Sequence, residues 1–459
     1  MTMSRGDRRA FWVTRGRSRA TNHLVSACLL SLVLAPWTTA QDDVRITNPT
    51  DILRPSGLVD LEYDPTDFFR SARQRSKESL LPYDPLGEAG LEEARAARDA
   101  FFKRTGFRVG AAFTSVYQRM SDSLPGTERE GYSSDLDVYV SFAPYDRGLP
   151  TQGQFDVQFE GRWAYGEPSA GELGPANLGS VITTVDSFDE YTPAFLMRNA
   201  YWNQGTQESG FVWRVGKITP DGLIGTSYHL NPNTTFMPSG YIGVTAVGAP
   251  DSGLGIGAAW YPDDRFSIMG LISDSNGDRR TLGEIHQGDF FKAVEFRYKI
   301  APKTEQAGYS KLAFWHNDGT DDGKPNNLSS GKEGWGGLFK YEQELTDDGD
   351  VIFVGKYGAS GNDSAFYEHQ LVATLLMYDI VDDDPGDTDL RNDLFGVGMA
   401  WADPVLEDAS TETALETFYR FPLIPNLETT LSLQHIFNPA LGSETDGTWV
   451  FGIRTRMRF

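Results

Sequence analysis

Side chains alternate with a period of two from Phe107 to the end of the chain, and the closing segment shows it most plainly. In Trp449-Val-Phe-Gly-Ile-Arg-Thr-Arg-Met-Arg-Phe459 one face carries Trp449, Phe451, Ile453, Thr455, Met457 and Phe459. The other carries Val450, Gly452, Arg454, Arg456 and Arg458. Successive side chains of a strand point to opposite sides, so this segment reads as a strand with oil on one side and water on the other. The same pattern predicts strands over 107–119, 134–145, 153–165, 194–205, 210–218, 253–261, 266–274 and 289–300. It continues over 307–317, 334–345, 350–359, 367–379, 392–401, 411–421, 428–437 and 447–459. Many have the ~9–11 residues that a tilted membrane strand needs. The fold class that follows is all-β, a transmembrane antiparallel barrel of about sixteen strands.

The connections alternate between long and short, as a membrane barrel with long loops at one rim and tight turns at the other requires. Two depart from this: 360–366 is short for an outer loop, and 380–391 is long and acidic for an inner turn. An even strand number puts both barrel ends at the periplasmic rim. The longest connection, 219–252, is rich in Gly, Pro, Asn and Thr and holds the apolar tract Tyr241 to Val247. Such a tract is wasteful in open water, so the loop is expected to fold inward and narrow the lumen.

The alternation sorts the charges. In the 153–165 segment Phe155, Val157, Phe159 and Trp163 oppose Asp156, Gln158, Glu160 and Arg162. An Arg or Lys facing lipid near the midplane costs ~2–4 kcal/mol, so the charged face is the inner one. The candidate pore-lining residues are Asp156, Glu160, Arg162, Arg198, Arg214, Glu295, Arg297, Glu416, Arg420, Arg454 and Arg456, with Lys340, Glu342 and Lys356 beside them. Tyr145, Tyr165, Tyr261, Trp315, Trp335 and Trp401, near strand ends, are expected in the interfacial girdles.

Ahead of the barrel, assigned to 106–459, the pattern changes. Leu91, Ala94, Arg98, Phe101 and Phe102 share one helical face before Gly106, which predicts a short N-terminal periplasmic helix over 86–105. Residues 41–85 show no periodicity and read as an extended or disordered periplasmic lead segment. Arg5, Arg8, Arg9, Arg15, Arg17 and Arg19, the apolar run Leu24 to Ala35 and the small residues up to Ala40 make 1–40 a signal peptide, exporting the chain to a Gram-negative type of cell outer membrane.

Composition then excludes several classes. The only cysteine, Cys28, lies in the signal segment, so the remainder has no disulfide scaffold, thiolate metal site or thiol nucleophile. Without that segment the net charge falls from −23 to about −28, which disfavours nucleic acid as a partner. His229, His286, His316, His369 and His435 show no metal-ligand spacing, and no Gly-x-Ser-x-Gly occurs. Asp274 to Asp278 begins like a calcium loop but lacks its later Gly and Glu. No cofactor, no metal and no catalytic residue is expected, and the chain reads as no enzyme.

Certain segments resemble a known family. They are Gly106 to Tyr117 after the helix, Trp213-Arg-Val-Gly-Lys-Ile218, Asn233-Thr-Thr-Phe-Met-Pro238, Phe290 to Tyr298, Asp393 to Gly398, Leu415-Glu-Thr-Phe-Tyr-Arg-Phe421 and Leu431 to Pro439 before the closing strand. Their order resembles the carbohydrate-selective outer-membrane porins, the OprB-like family, over nearly all of 86–459. The resemblance implies a sixteen-stranded barrel that admits mono- or small oligosaccharides by diffusion. It also implies a terminal Phe459 of the kind read by the barrel-assembly machinery, and contact with outer-membrane lipid and lipopolysaccharide. Porins often form homotrimers, though no interface signal is legible here. A sugar needs donors and acceptors around a narrow lumen, which the inner charges supply; the same charges would equally serve by pairing with each other. The Arg454, Arg456, Arg458 ladder also suits a general or anion-selective diffusion porin. A lipid-acting barrel enzyme and a soluble β-rich binding protein are the more distant alternatives.

Overall fold

A computed structural model describes residues 97–458 apart from 99, 148, 228, 243–245, 264, 301–308, 347–348, 381–392, 425–426 and 443–445. The predicted signal peptide, the lead segment, most of the 86–105 helix, the acidic 382–384 run and Phe459 lie outside the described residues; 97, 98 and 100–105 are helical. Sixteen strands follow: β1 Phe107–Met120, β2 Glu130–Tyr145, β3 Gly153–Ala164, β4 Phe195–Gln204, β5 Phe211–Ile218, β6 Gly253–Trp260, β7 Phe266–Asp274 and β8 Phe290–Lys299. Then come β9 Tyr309–Asn317, β10 Gly334–Glu344, β11 Val351–Ser360, β12 Tyr367–Tyr378, β13 Leu394–Pro404, β14 Glu412–Ile424, β15 Leu427–Phe437 and β16 Gly447–Arg458. Each pairs antiparallel with its sequence neighbours, and β1 closes on β16 with Ala112 opposite Arg458 and Met120 opposite Val450. Closure removes the free edges that lipid cannot satisfy.

The barrel is inside out relative to a water-soluble protein. On β3, Phe155 is 41% exposed while the adjacent Asp156 is 0%. On β16, Trp449 and Phe451 are exposed and Arg454 is buried. Phe113, Ile256, Trp260, Phe314, Phe339, Val397, Leu431 and Leu433 continue the outward apolar surface around the ring. A continuous apolar exterior over a charged interior is stable only with hydrocarbon outside.

Strand ends move by a few residues from the sequence reading: β2 begins at Glu130, and β13 and β14 run on to Pro404 and Ile424. Two side chains expected in a girdle turn inward: Trp315, 3% exposed against Phe291, and Tyr261, packed on the same interior cluster. Leu312 and Phe314 point outward on β9, and the period of two leaves Trp315 on the inner face. Trp335 and Tyr165 do stand exposed at strand ends, and Tyr165 stacks on Tyr132.

Candidate functional site

Two long connections fold into the barrel, and the inward-facing wall residues hold them. Irregular backbone at membrane depth is tolerated where it is buried in protein or lines a water-filled cavity. Segment 219–252, between β5 and β6, contains the short helix α2, Ser239–Ile242, and finds its partners mainly among charged side chains. Its carbonyls accept from cations. Thr226 O takes both Lys311 Nζ (2.7 Å) and Lys340 Nζ (2.6 Å), Tyr241 O takes Lys356 Nζ (2.9 Å) and Thr234 O takes Arg420 Nη1 (3.0 Å). Arg454 donates to Pro232 O (2.5 Å) and Thr235 O (2.9 Å). Its amides donate to anions: Gly225 N to Glu295 (2.6 Å) and Met237 N to Glu416 (2.8 Å).

Apolar packing completes the seat. Phe236 stacks on Tyr241 with centroids 4.6 Å apart and meets Phe418 of β14 edge-on. The Tyr241 hydroxyl donates to backbone oxygens of Gly398 and Ala414. Gly398 makes this approach possible, because a Cβ there would lie 2.8 Å from the Tyr241 ring and 2.9 Å from the Phe236 ring.

Segment 165–194, between β3 and β4, carries α1, Leu173–Asn177, and relies more on neutral partners. Gln118 Nε2 donates to Thr184 O (2.8 Å) while Thr184 Oγ1 donates back to Gln118 Oε1 (2.7 Å), and Gln434 also reaches Thr184 O (2.9 Å). Tyr367 OH donates to Val181 O, and Ala170 N to Ser133 Oγ. Leu173, Leu178 and Ile182 pack with Met120, Ala402, Ala414, Ile436 and Val450 from the wall. Glu412 is the chief charged anchor, accepting from Val181 N (3.0 Å), Ile182 N (3.1 Å) and Ser180 Oγ. The two segments also bond to each other, Asp186 N to Met237 O (2.8 Å) and Thr183 N to Ser239 Oγ (3.0 Å).

Every predicted lining residue faces inward, and all but the half-buried Arg420 are fully buried. They form separate groups. On β3–β4, Glu160 accepts from Arg162 (Nη2, 2.6 Å), Arg198 (3.0 Å) and Tyr191 OH (2.8 Å), and Arg162 also bonds Asp189. The Arg162 guanidinium lies 4.5 Å from the Tyr191 ring. Asp156 accepts from Ser141 (2.5 Å), Gln154 (2.6 Å) and Asn203 (2.8 Å), and Arg214 bonds Asn203 (2.7 Å) over the Tyr201 ring. On β8, Glu295 pairs with Arg297 at 2.5 Å. Arg456 donates to Thr114 Oγ1 (2.7 Å) and Arg458 to Glu428 (2.5 Å). Arg198 and Asn199 both point inward because a bulge opposite Gln158 and Phe159 breaks the alternation of β4.

Sequence reasoning passed over Lys311, Gln118, Glu412, Asp189 and Tyr191. Lys311 and Glu412 had the signal, each alternating with outward apolar or small neighbours near a strand end. Asp189 and Tyr191 had none, since they lie on a loop with no period. The register sets Lys311, Lys340 and Lys356 side by side on β9, β10 and β11 with Arg297 opposite Lys311. Like charges directly opposite repel, and the carbonyls of 219–252 together with Glu295 and Glu342 are what accept them.

A closed sixteen-stranded barrel, apolar outside, polar inside and entered by its own loops, has the architecture of an outer-membrane porin. The family model for the carbohydrate-selective porin, OprB family, matches residues 171–459, and the chain belongs to that family. β1, β2 and β3 precede the matched region, although the resemblance in sequence was expected from residue 86. The high-pH structure of Pseudomonas putida OprB is similar with a TM-score of 0.62 at 11% identity, covering 80% of this chain and 97% of that one, which carries the fold. The low-pH structure of the same protein gives 0.48 at 10% identity, covering 80% and 96%. A triple mutant of Rhodopseudomonas blastica porin gives 0.43 at 12%, covering 77% and 100%. No curated protein matches the chain.

Proposed function

We propose that the protein passes sugars by passive, carbohydrate-selective diffusion through a constriction built from segments 165–194 and 219–252. The observation that carries this reading is the seating of both segments inside the lumen against charges of both signs. A narrow, fixed aperture edged by donors and acceptors favours a neutral polyhydroxyl solute while binding it weakly enough to release it. Within the lining set, Glu295, Arg297, Glu416, Arg420 and Arg454 act by holding 219–252 in place. Asp156, Glu160, Arg162, Arg198, Arg214 and Arg456 act from behind the lumen surface, setting the field across the aperture and holding the side chains around it. The preferred solutes are mono- or small oligosaccharides.

Single-channel conductance and liposome swelling test this reading. Added sugar is expected to block ion current in steps and to enter liposomes carrying the protein; if it does neither, the sugar assignment falls. A general or anion-selective diffusion porin is the second reading, favoured by the rung Arg297, Lys311, Lys340 and Lys356. A strongly anion-selective reversal potential that sugar does not alter would support it. The same proposal includes export by a signal peptide at 1–40, a periplasmic lead segment and helix, Phe459 as the assembly signal, lipopolysaccharide around the outer rim and a homotrimer.

A further inference from the structure

Asp135 and Asp137 lie two residues apart on the inner face of β2. The β2–β3 register sets Asp137 opposite Glu160 and Asp135 opposite Arg162. One carboxylate oxygen from each of Asp135, Asp137 and Glu160 lies within 4.8 Å of the other two, and the residues are only 1%, 2% and 2% exposed. Three carboxylates this close, out of water, repel unless a cation sits among them or one of them holds a proton, and only the first gives a saturable metal signal.

The arginines nearby answer only part of that charge. Arg162 and Arg198 both bond Glu160, Arg162 also bonds Asp189, and Arg279 pairs with Asp189 and Asp251, so three cations face three anions of which only Glu160 belongs to the cluster. Asp137 accepts from the neutral Gln158 Nε2 at 3.0 Å. Asp135 Oδ1 is buried with no hydrogen-bond partner. Arg456, across β1 from Asp135, spends Nη1 on Thr114 Oγ1 and forms no contact ion pair with either aspartate among the described residues. Asp135, one member of the cluster, thus keeps a buried carboxylate oxygen without a hydrogen bond, the mark of a missing positive partner.

We propose that Asp135, Asp137 and Glu160 bind a divalent cation of the calcium type. All three donors are hard carboxylate oxygens, the set that calcium or magnesium prefers over softer transition metals. Sequence spacing hides the site because the third ligand comes from the next strand. Glu160 also holds Tyr191 and, through Arg162, Asp189. A bound ion therefore stiffens the wall to which segment 165–194 is tied. The site does not depend on which solute the channel passes.

Terbium, a luminescent calcium substitute, tests the proposal on the full-length protein in detergent after chelator treatment. Tyr139 is buried two residues beyond Asp137 on the same face, which places a sensitising phenol beside the site. Saturable tyrosine-sensitised emission that calcium displaces is expected. The Asp135→Asn/Asp137→Asn variant should lose it by ~10-fold or more, while Asp322→Asn in the exposed 318–333 loop should not. Absent emission, or emission undiminished in the double variant, overturns the proposal. Should that variant fail to fold by heat-modifiable gel mobility, thermal unfolding of the unaltered protein decides. A higher midpoint in calcium than in chelator supports the site, and identical midpoints overturn it. The Arg456→Gln variant separates the rival in which Arg456 swings onto Asp135: tighter terbium binding supports the cation site, and absence of binding with Arg456 present or removed overturns it.

Discussion

The two inward segments do similar work with different chemistry. Segment 219–252 presents its carbonyls to Lys311, Lys340, Lys356, Arg420 and Arg454 and its amides to Glu295 and Glu416. Segment 165–194 uses Gln118, Gln434, Tyr367 and Ser133, a packed apolar face, and charge at Glu412 and at the Arg162–Glu160 pair that holds Asp189 and Tyr191. The difference follows from position. Segment 219–252 crosses toward β8–β16, where the inner rungs carry like charges that need acceptors. Segment 165–194 lies against β1 and β12–β16, where its partners are mostly apolar or neutral, and meets charge at Glu412 and at the Arg162–Glu160 pair of β3. A loop thus becomes the counter-charge of its own barrel in one region and an ordinary packed element in the other.

The largest test of that contrast is Arg454→Met. Removing the guanidinium frees Pro232 O and Thr235 O and leaves Glu416 short of a nearby cation. Breaking one partner of a buried charged network costs ~3–5 kcal/mol, read as a lower urea midpoint for the heat-modifiable band, with larger and noisier single-channel currents. A smaller loss is expected for Gly398→Val, which overpacks the Phe236 and Tyr241 seat at ~1–3 kcal/mol and should raise conductance by displacing 219–252. The smallest belongs to Gln118→Leu, which removes a neutral reciprocal bond to Thr184 worth ~1 kcal/mol and should leave conductance nearly unchanged. If Gln118→Leu proves as damaging as Arg454→Met, the distinction between the two anchoring modes is wrong.

Much of the barrel was legible in the residues because lipid imposes a harsh rule. Phe155 beside Asp156 and Ile453 beside Arg454 admit one orientation, since a one-residue slip would put arginine in hydrocarbon. The inward fold of 219–252 was legible for a related reason, its apolar tract. What escaped was whatever depends on a neighbouring strand or a break in the period. Trp315 looked like a girdle residue at a strand end and faces inward. Glu412 and Gln118 were passed over, and only their opposing loop backbone makes them anchors. Arg198 is buried on the inner face, and its neighbour Asn199 shares its side because of a bulge that no local pattern announces.

By itself, then, the order of amino acids determined the strands, their number and which face of each meets lipid, because transfer of charge into hydrocarbon is too costly to allow another answer. The tertiary structure alone decided the register that sets Lys311, Lys340 and Lys356 in one rung and Asp137 against Glu160. It also decided which carbonyls and carboxylates answer them. Those partnerships depend on distances of a few ångströms between residues far apart in the chain, and a period of two along one strand carries no information about its neighbour's offset.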